Sequence, residues 1–501
     1  MTKAPCKSDW TLLESKGVDC GDKRLDRRFA TLLQTMAKTP GASIPQACGG
    51  DHAQIAAAYR FLSNPSVTPH ALLSAHAEQT TERISAHPTV LLVQDTTEID
   101  MSQPEQRILG AGPLDDSLRQ GALLHLLHAF TPEGSPLGSL WHKIVIRPER
   151  PKGKAAKRPT RAQRQRTPIE DKESYRWLEG LAAARSRAQD QEHTRFICVA
   201  DSEADIYEYL QPSMIEGQSA PLYWIVRACQ DRALQSQAEG DDADKSIPEV
   251  SRLWEACAEA PIIARRKLRV PGRKAKLMCD KRSRRQPRED RDIEVEVRVR
   301  ARATLRPPAR HGHRLEPACI NAVLVREKNP PEGDVAVEWL LLTTLPVRSE
   351  QEVSEIIEAY AKRFMIEVLF RTLKSGCRIE DRRFESASSH LSHLAIALII
   401  AWRVMWLSQI AQNEPEKEGG SVFSEAEWRV AWLKVKGAKE PMPKQVPSAG
   451  EIIKLVAKLG GWIERGGKYA SPPGVQTLWQ GLRRVEDMAA IWSLQNPSTC
   501  V

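Results

Sequence analysis

Apolar positions along this chain follow two rhythms. From Arg24 to Lys38, Leu25, Phe29, Leu32, Leu33 and Met36 recur at three- and four-residue steps, with Arg24, Arg27 and Arg28 opening the segment. That spacing predicts an amphipathic helix within a helical stretch over 10–65. Short apolar runs then take over at 89–93, 123–130, 140–146, 196–200 and 222–226. Their length predicts buried strands, and a helical pattern at 172–187 separates two of them. Residues 230–345 read as a β insertion in which 293–305 alternates like a half-exposed strand and 339–344 closes the stretch. Helical periodicity returns at 352–373 and 391–410, and the tail, 412–501, carries two further expected helices among Gly, Pro and Trp. The fold class is therefore α/β. A helical N-terminal module whose basic residues suit DNA contact is expected at 1–70, an α/β core at 71–411 with its β insertion at about 230–345, and a mainly helical C-terminal domain at 412–501.

Composition narrows this reading. The chain has 501 residues, 41% of them hydrophobic, which excludes wholesale disorder and allows a large core. The longest apolar run, 394–402, stops at Arg403, short of the ~20 residues a bilayer span requires. The N-terminus lacks the apolar segment of a secretory signal, so a cytoplasmic location is expected. Ten cysteines without a C-x-x-C pair point to reduced thiols. The 73 Lys+Arg against 64 Asp+Glu leave a net charge of +9, concentrated in two runs at 143–166 and 265–292. Such runs are expected to be flexible; they can contact nucleic-acid phosphates or simply keep loops solvated.

Two acids follow apolar runs: Asp95 after 89–93 and Asp201 after 196–200. Strand ends of one sheet can share a crevice, and carboxylate oxygens suit Mg²⁺ or Mn²⁺, although an Asp there also serves as a turn former or helix cap. On the helix from Glu352, Tyr360, Arg363, Glu367 and Lys374 project at roughly 0°, −60°, −20° and −40°, at ~100° per residue. They form one polar stripe, and Met365, Ile366, Leu369, Phe370 and Leu373 cover most of the remaining circumference. The stripe can face a site, or it can be a solvent face with one Arg363–Glu367 pair.

The spacing Tyr360-x₂-Arg363-x₃-Glu367-x₆-Lys374 resembles the Y-R-E-K signature of DDE transposases of the insertion-sequence-four family. The likeness to the Tn-five branch of that family extends to Gln94–Thr97, Val199–Ile206, Trp339–Thr343, Gly21-Asp22, Ala58–Phe61 and Leu459–Gly461, in order along nearly the whole chain. It implies an RNase-H-like catalytic core interrupted by a β insertion. Asp95, Asp201 and Glu367 would be a catalytic triad holding two Mg²⁺ ions, with Mn²⁺ able to substitute. Tyr360, Arg363 and Lys374 would contact transposon-end phosphates, and Trp339 would stack on a flipped base. Arg28, Lys38 and Arg60 would recognise the end sequence, and Arg227, Arg383 and Glu385 would lie near the DNA. The implied partners are double-stranded DNA, as transposon ends and target, and a second copy joined through 412–501. The implied reaction is cut-and-paste transposition by nicking, hairpin formation and opening, and strand transfer. DNA binding would bring the chain to the nucleoid, and no membrane is implied.

Phe364, Ala56 and Ser389 depart from the family pattern, which leaves the recognised end sequence open. A catalytically silent DNA-binding regulator and a nuclease that cuts without joining are the alternatives. His311, His313, His390 and His393 lack companions at zinc spacing and are expected in surface or capping roles. Gly466-Gly467-Lys468 lacks the upstream Gly and the Ser/Thr of a phosphate loop.

Overall fold

A computed structural model describes residues 10–103, 108–116, 118–149, 160–211, 222–235, 251–270, 291–309, 314–332, 336–437, 439–467 and 471–496. It divides the chain into two units: residues 1–156 with 364–501, and residues 157–363.

The first unit begins with helices α1 (Trp10–Ser15), α2 (Lys23–Lys38), α3 (Ile44–Ala47), α4 (His52–Leu62) and α5 (Pro69–Ile84). Side-chain caps from Asp22, Ser43, Asp51 and Thr68 set the starts of α2 to α5. The expected α2 face is the buried one, with Phe29, Leu32, Leu33 and Met36 inside. Strands β1 (Thr89–Asp100), β2 (Gly112–Pro113), β3 (Gln120–Phe130) and β4 (Pro136–Val145) follow. β3 pairs antiparallel with β1, β2 and β4. The first unit resumes after residue 363, as given below.

The second unit holds α6 (Arg161–Arg166), α7 (Tyr175–Gln189), β5 (Arg195–Ala200), α8 (Tyr207–Leu210), β6 (Leu222–Arg227), α9 (Leu253–Glu259), β7 (Ile262–Val270), β8 (Arg291–Leu305), β9 (Ala318–Glu327), β10 (Glu338–Thr343) and α10 (Glu350–Lys362). Its strands run in the order β5-β6-β10-β9-β8-β7. The β5–β6 pair is parallel and the others are antiparallel. The residues expected to form an all-β insertion therefore extend the sheet of β5 and β6, and they include a helix, α9. The second basic run also changes character. On β7, Arg265, Lys267 and Arg269 stand opposite Glu296, Glu294 and Asp292 of β8. The first row continues through Glu296↔Arg326 and Arg326↔Glu338, so charge alternates across four strands. Cross-strand pairs of this kind contribute about 0.2–1 kcal/mol each. Arg265, Lys267 and Arg269 of that run thus share a sheet face on which each stands opposite an acid. Residues 271–290, and 150–159 of the first basic run, lie outside the described residues.

The first unit resumes with α11 (Phe364–Arg371), a π turn at Thr372–Gly376, α12 (Ala387–Asn413), α13 (Glu425–Val435), α14 (Ala449–Leu459) and α15 (Val475–Gln495). Among its described residues the C-terminal stretch thus has three α-helices where two were expected. α12 is the axis of this unit and packs against α5, β4, α14 and α15. It is long and apolar enough to cross a bilayer, but 83% of its most apolar window is buried in the protein, so it is a core helix. His390 and His393 are in that core, not in the surface or capping roles expected, with Phe384 against both rings. Burial pushes their imidazoles down to about 4 and about 3. Arg403 is also enclosed, its guanidinium 4.2 Å from the Trp406 ring, and burial lowers it to about 10. The described cysteines carry free thiols.

A buried ionic cluster fastens α1 to this core. Glu14 is 1% exposed. It accepts hydrogen bonds from Arg83 Nη1 at 2.6 Å and from His76 Nδ1 at 2.5 Å. His76 Nε2 accepts the Ser139 backbone N–H at 3.0 Å, so the ring proton sits on Nδ1 and faces Glu14. Arg83 also donates to the Leu137 carbonyl and stacks 4.2 Å from the Trp402 ring. Burial alone would raise the Glu14 carboxyl, but its contacts with His76 and Arg83 outweigh burial and hold it below the usual carboxylate range. A carboxylate lowered on folding contributes stability above its ordinary value of 4.5, and that stability is lost as pH falls through the folded value. Glu14→Gln should therefore cost about 3 kcal/mol in urea denaturation at neutral pH, and its stability should fall less than the parent's below that value.

Candidate active site

Asp95 lies in the middle of β1, with Leu126 as its partner on β3. The strand expected to end before Asp95 continues five residues beyond it, because pairing with β3 holds as far as Asp100↔Gly121. The half-buried carboxylate accepts the Thr96 backbone N–H at 2.8 Å. Neighbouring side chains brace the strand: Thr96 Oγ1 bonds His125 Nδ1 at 2.8 Å, and His125 Nε2 meets Gln94 Oε1 at 3.2 Å. Helix α11 packs against β1 and carries Glu367, also half-buried. Its Ile366, Leu369 and Phe370 are buried, as the stripe argument required. The single helix expected over 352–373 is interrupted, however. A turn at Arg363, whose N–H bonds the Tyr360 carbonyl at 3.0 Å, divides α10 from α11, and Lys374 stands in the π turn. Uniform 100° steps therefore do not describe the whole stripe. Lys374 Nζ lies 3.1 Å from Glu380 Oε1.

Asp201 follows β5 directly and caps the 3₁₀ turn Ser202–Ala204, accepting the Glu203 N–H at 2.8 Å. Arginines hold the rest of this segment. Arg227 donates to Ser202 Oγ at 3.2 Å and Arg176 to Glu203 Oε2 at 2.9 Å. Arg232 forms a buried pair with Asp205, whose Oδ2 also accepts the backbone N–H groups of Cys229 and Gln230. Tyr360, at the end of α10, lies within electrostatic reach of Asp201, Arg227 and Arg363. Burial pushes its hydroxyl up, partly offset by the two arginines. The Trp339 ring meets Tyr360 edge-on at 5.3 Å between centroids. Asp201, Arg227, Trp339, Tyr360 and Arg363 thus cluster in the second unit, while Asp95, Glu367 and Lys374 belong to the first.

The other expected DNA contacts are in the first unit. Arg28 on α2 donates to Gln54 of α4 at 3.0 Å, and Arg60 is exposed on α4. Lys38 lies 3.7 Å from Glu486 of α15. Arg383 reaches the Ser102 carbonyl at 3.5 Å, and the Glu385 backbone pairs with Leu109. Among the described residues, no three His, Cys, Asp or Glu side chains are gathered closely enough to hold a metal ion. The half-buried carboxylates of Asp95 and Glu367, on packed elements, are hard oxygen donors of the kind Mg²⁺ takes.

Residues 7–67 match a family model described as transposase DNA-binding, 208–403 one described as transposase DDE domain, and 399–491 one described as transposase Tn5 dimerisation domain. These three matches, in order along the chain, are together consistent with a Tn5-like DDE transposase. The architecture agrees: a helical N-terminal region, a central mixed sheet with helices consistent with an RNase-H-like core, and a helical C-terminal region. Glu367 lies within the span of the DDE model, whereas Asp95 and Asp201 precede it. A piggyBac transposase synaptic complex with hairpin DNA, determined by cryo-EM, is a distant structural neighbour at 10% identity and a TM-score of 0.28. The match covers 74% of this chain and 53% of that one, so the chain spans about half that protein's length.

Sequence reasoning missed Arg176, Arg232 and Glu380. Only Asp205 offered a signal, as a third acid in five residues that needed a cation if buried. Breaking its pair should be costly: Asp205→Ala is expected to lower unfolding stability by about 3–5 kcal/mol, read from the denaturant midpoint.

Proposed function

We propose that this chain is a cut-and-paste DNA transposase that acts on transposon ends and target DNA as a homodimer. Asp95, Asp201 and Glu367 would hold divalent cations, Mg²⁺ or Mn²⁺, which supply activation of the attacking oxygen and charge stabilisation of the leaving one. The observation that carries this reading is the packing of α11 on β1, which sets Glu367 on the helix lying against the strand of Asp95. The cap on Asp201 fixes its carboxylate next to the 3₁₀ turn, leaving other lone pairs for a ligand.

The chain's own groups position the DNA. Tyr360, Arg363, Lys374 and Arg227 would donate to end phosphates, which orients the scissile bond for in-line attack. Trp339 would offer a face for an unstacked base, and the Tyr360 ring, 5.3 Å away between centroids, limits how far the indole can turn. Arg28, Lys38 and Arg60 would read the end sequence, with Arg383 and Glu385 beside it. Nicking at the end, attack of the freed 3′-hydroxyl on the opposite strand, opening of that hairpin and joining to target are all phosphoryl transfers. The same positioned groups can therefore serve each one.

Incubating the protein with Mg²⁺ and a labelled duplex carrying the inverted repeats that bound its coding sequence tests this reading. Joined product is expected. Binding without cleavage would replace the reading with a silent regulator, and cleavage without joining with a nuclease. Asp95→Ala, Asp201→Ala and Glu367→Ala should each lose cleavage while retaining DNA binding in gel shifts, and cleavage retained by any of them removes that residue from the triad.

A further inference from the structure

Lys374 enters the free protein already engaged. Its ammonium is 3.1 Å from Glu380 Oε1, and no other ion pair or hydrogen bond is formed by Lys374 among the described residues. The same Glu380 oxygen accepts the Asp100 backbone N–H at 3.1 Å, which ties the carboxylate to the last residue of β1. The other acids at this strand end have their own cation: Arg119 Nη2 lies 2.6 Å from Glu98 and Arg119 Nη1 lies 3.5 Å from Asp100. Glu380 is therefore the acid matched by Lys374. Both side chains are about 30% exposed (29% and 30%), so water reaches the pair and breaking it is easy.

We propose that Glu380 is a built-in competitor for DNA phosphate at Lys374. The inference rests on Lys374 being a phosphate contact, as set out above. In the free chain the carboxylate orients the ammonium along β1. When a phosphodiester oxygen arrives, Lys374 must turn toward it while Glu380 stays anchored to the Asp100 N–H. Two anions then stand beside one cation and repel each other, so part of the attraction is cancelled. The arrangement trades affinity for readiness: the lysine is held in place, and the DNA is easier to release.

Glu380→Gln keeps an amide oxygen for the Asp100 N–H and removes the charge. With a mixed-sequence duplex as probe in fluorescence anisotropy, this variant is expected to bind about three- to fivefold more tightly at ~0.1 M salt. Its plot of log affinity against log salt should steepen by about one unit, as for one additional neutralised phosphate. Lys374→Ala should weaken binding and flatten that slope, and adding Glu380→Gln to Lys374→Ala should give no gain. Thermal unfolding midpoints close to the parent's verify that the variants are folded. Unchanged or weaker binding by Glu380→Gln overturns the proposal, as does an equal gain in the Lys374→Ala background, which marks a general charge effect. If Lys374→Ala alone leaves affinity and slope unchanged, it is the phosphate contact itself that falls.

Discussion

A carboxylate withdrawn from water must be met by a donor or a cation, and much of this chain is arranged around that requirement. Glu14 is met by His76 and Arg83, and Asp205 by Arg232 with two backbone N–H groups. Glu327, its side chain almost fully enclosed, is met by Arg291 at 2.9 Å and by the Val337 N–H. These pairs sit where elements join: α1 to α5, the turn after β5 to the loop after β6, and β8 to β9. Hydrophobic burial supplies most of the stabilisation in both units, but it is non-directional. The ion pairs and their hydrogen bonds fix which end of each element faces which neighbour.

The same requirement separates structural acids from candidate catalytic ones. Asp205 is saturated, with both oxygens taken by protein donors. Asp201, four residues earlier on the same turn, is half-buried and caps a single N–H in that turn. Arginines on Ser202, Glu203 and Asp205 hold the segment still around it. A short acidic motif thus divides its labour: its last member anchors and its first is presented.

Local periodicity made most of the fold legible. Strands 123–130, 196–200 and 222–226 lie within β3, β5 and β6, and the apolar face of α2 is the one that packs. What could not be read were features decided by non-local pairing. β1 runs past Asp95 because β3 lies alongside it, and no sequence signal within 94–100 announces that partner. The break at Arg363 involves neither Pro nor Gly, so the pattern across it looked like continuous helix. His390 and His393 are polar and were expected in surface or capping roles, but they lie on the buried core helix α12. On the site, the order of acids and the Tyr-Arg-Glu-Lys spacing pointed to the family. The cations that brace the acids, Arg176 and Arg232, sit 27 residues from theirs and carry no spacing rule.

The alternation of charge across β7, β8, β9 and β10 bears on how the molecule behaves in company. Among the described residues β7 is the last strand of its row, and a terminal strand offers open backbone groups to any extended chain that drifts alongside. Here such a visitor would have to settle beside Arg265, Lys267 and Arg269, each hydrated and already balanced by an acid on the inner neighbour. Only a guest bringing matching negative groups in the same register could dock without stripping that water. The border of the sheet is thus closed to indiscriminate self-association, so the chain is not drawn into fibres through this edge.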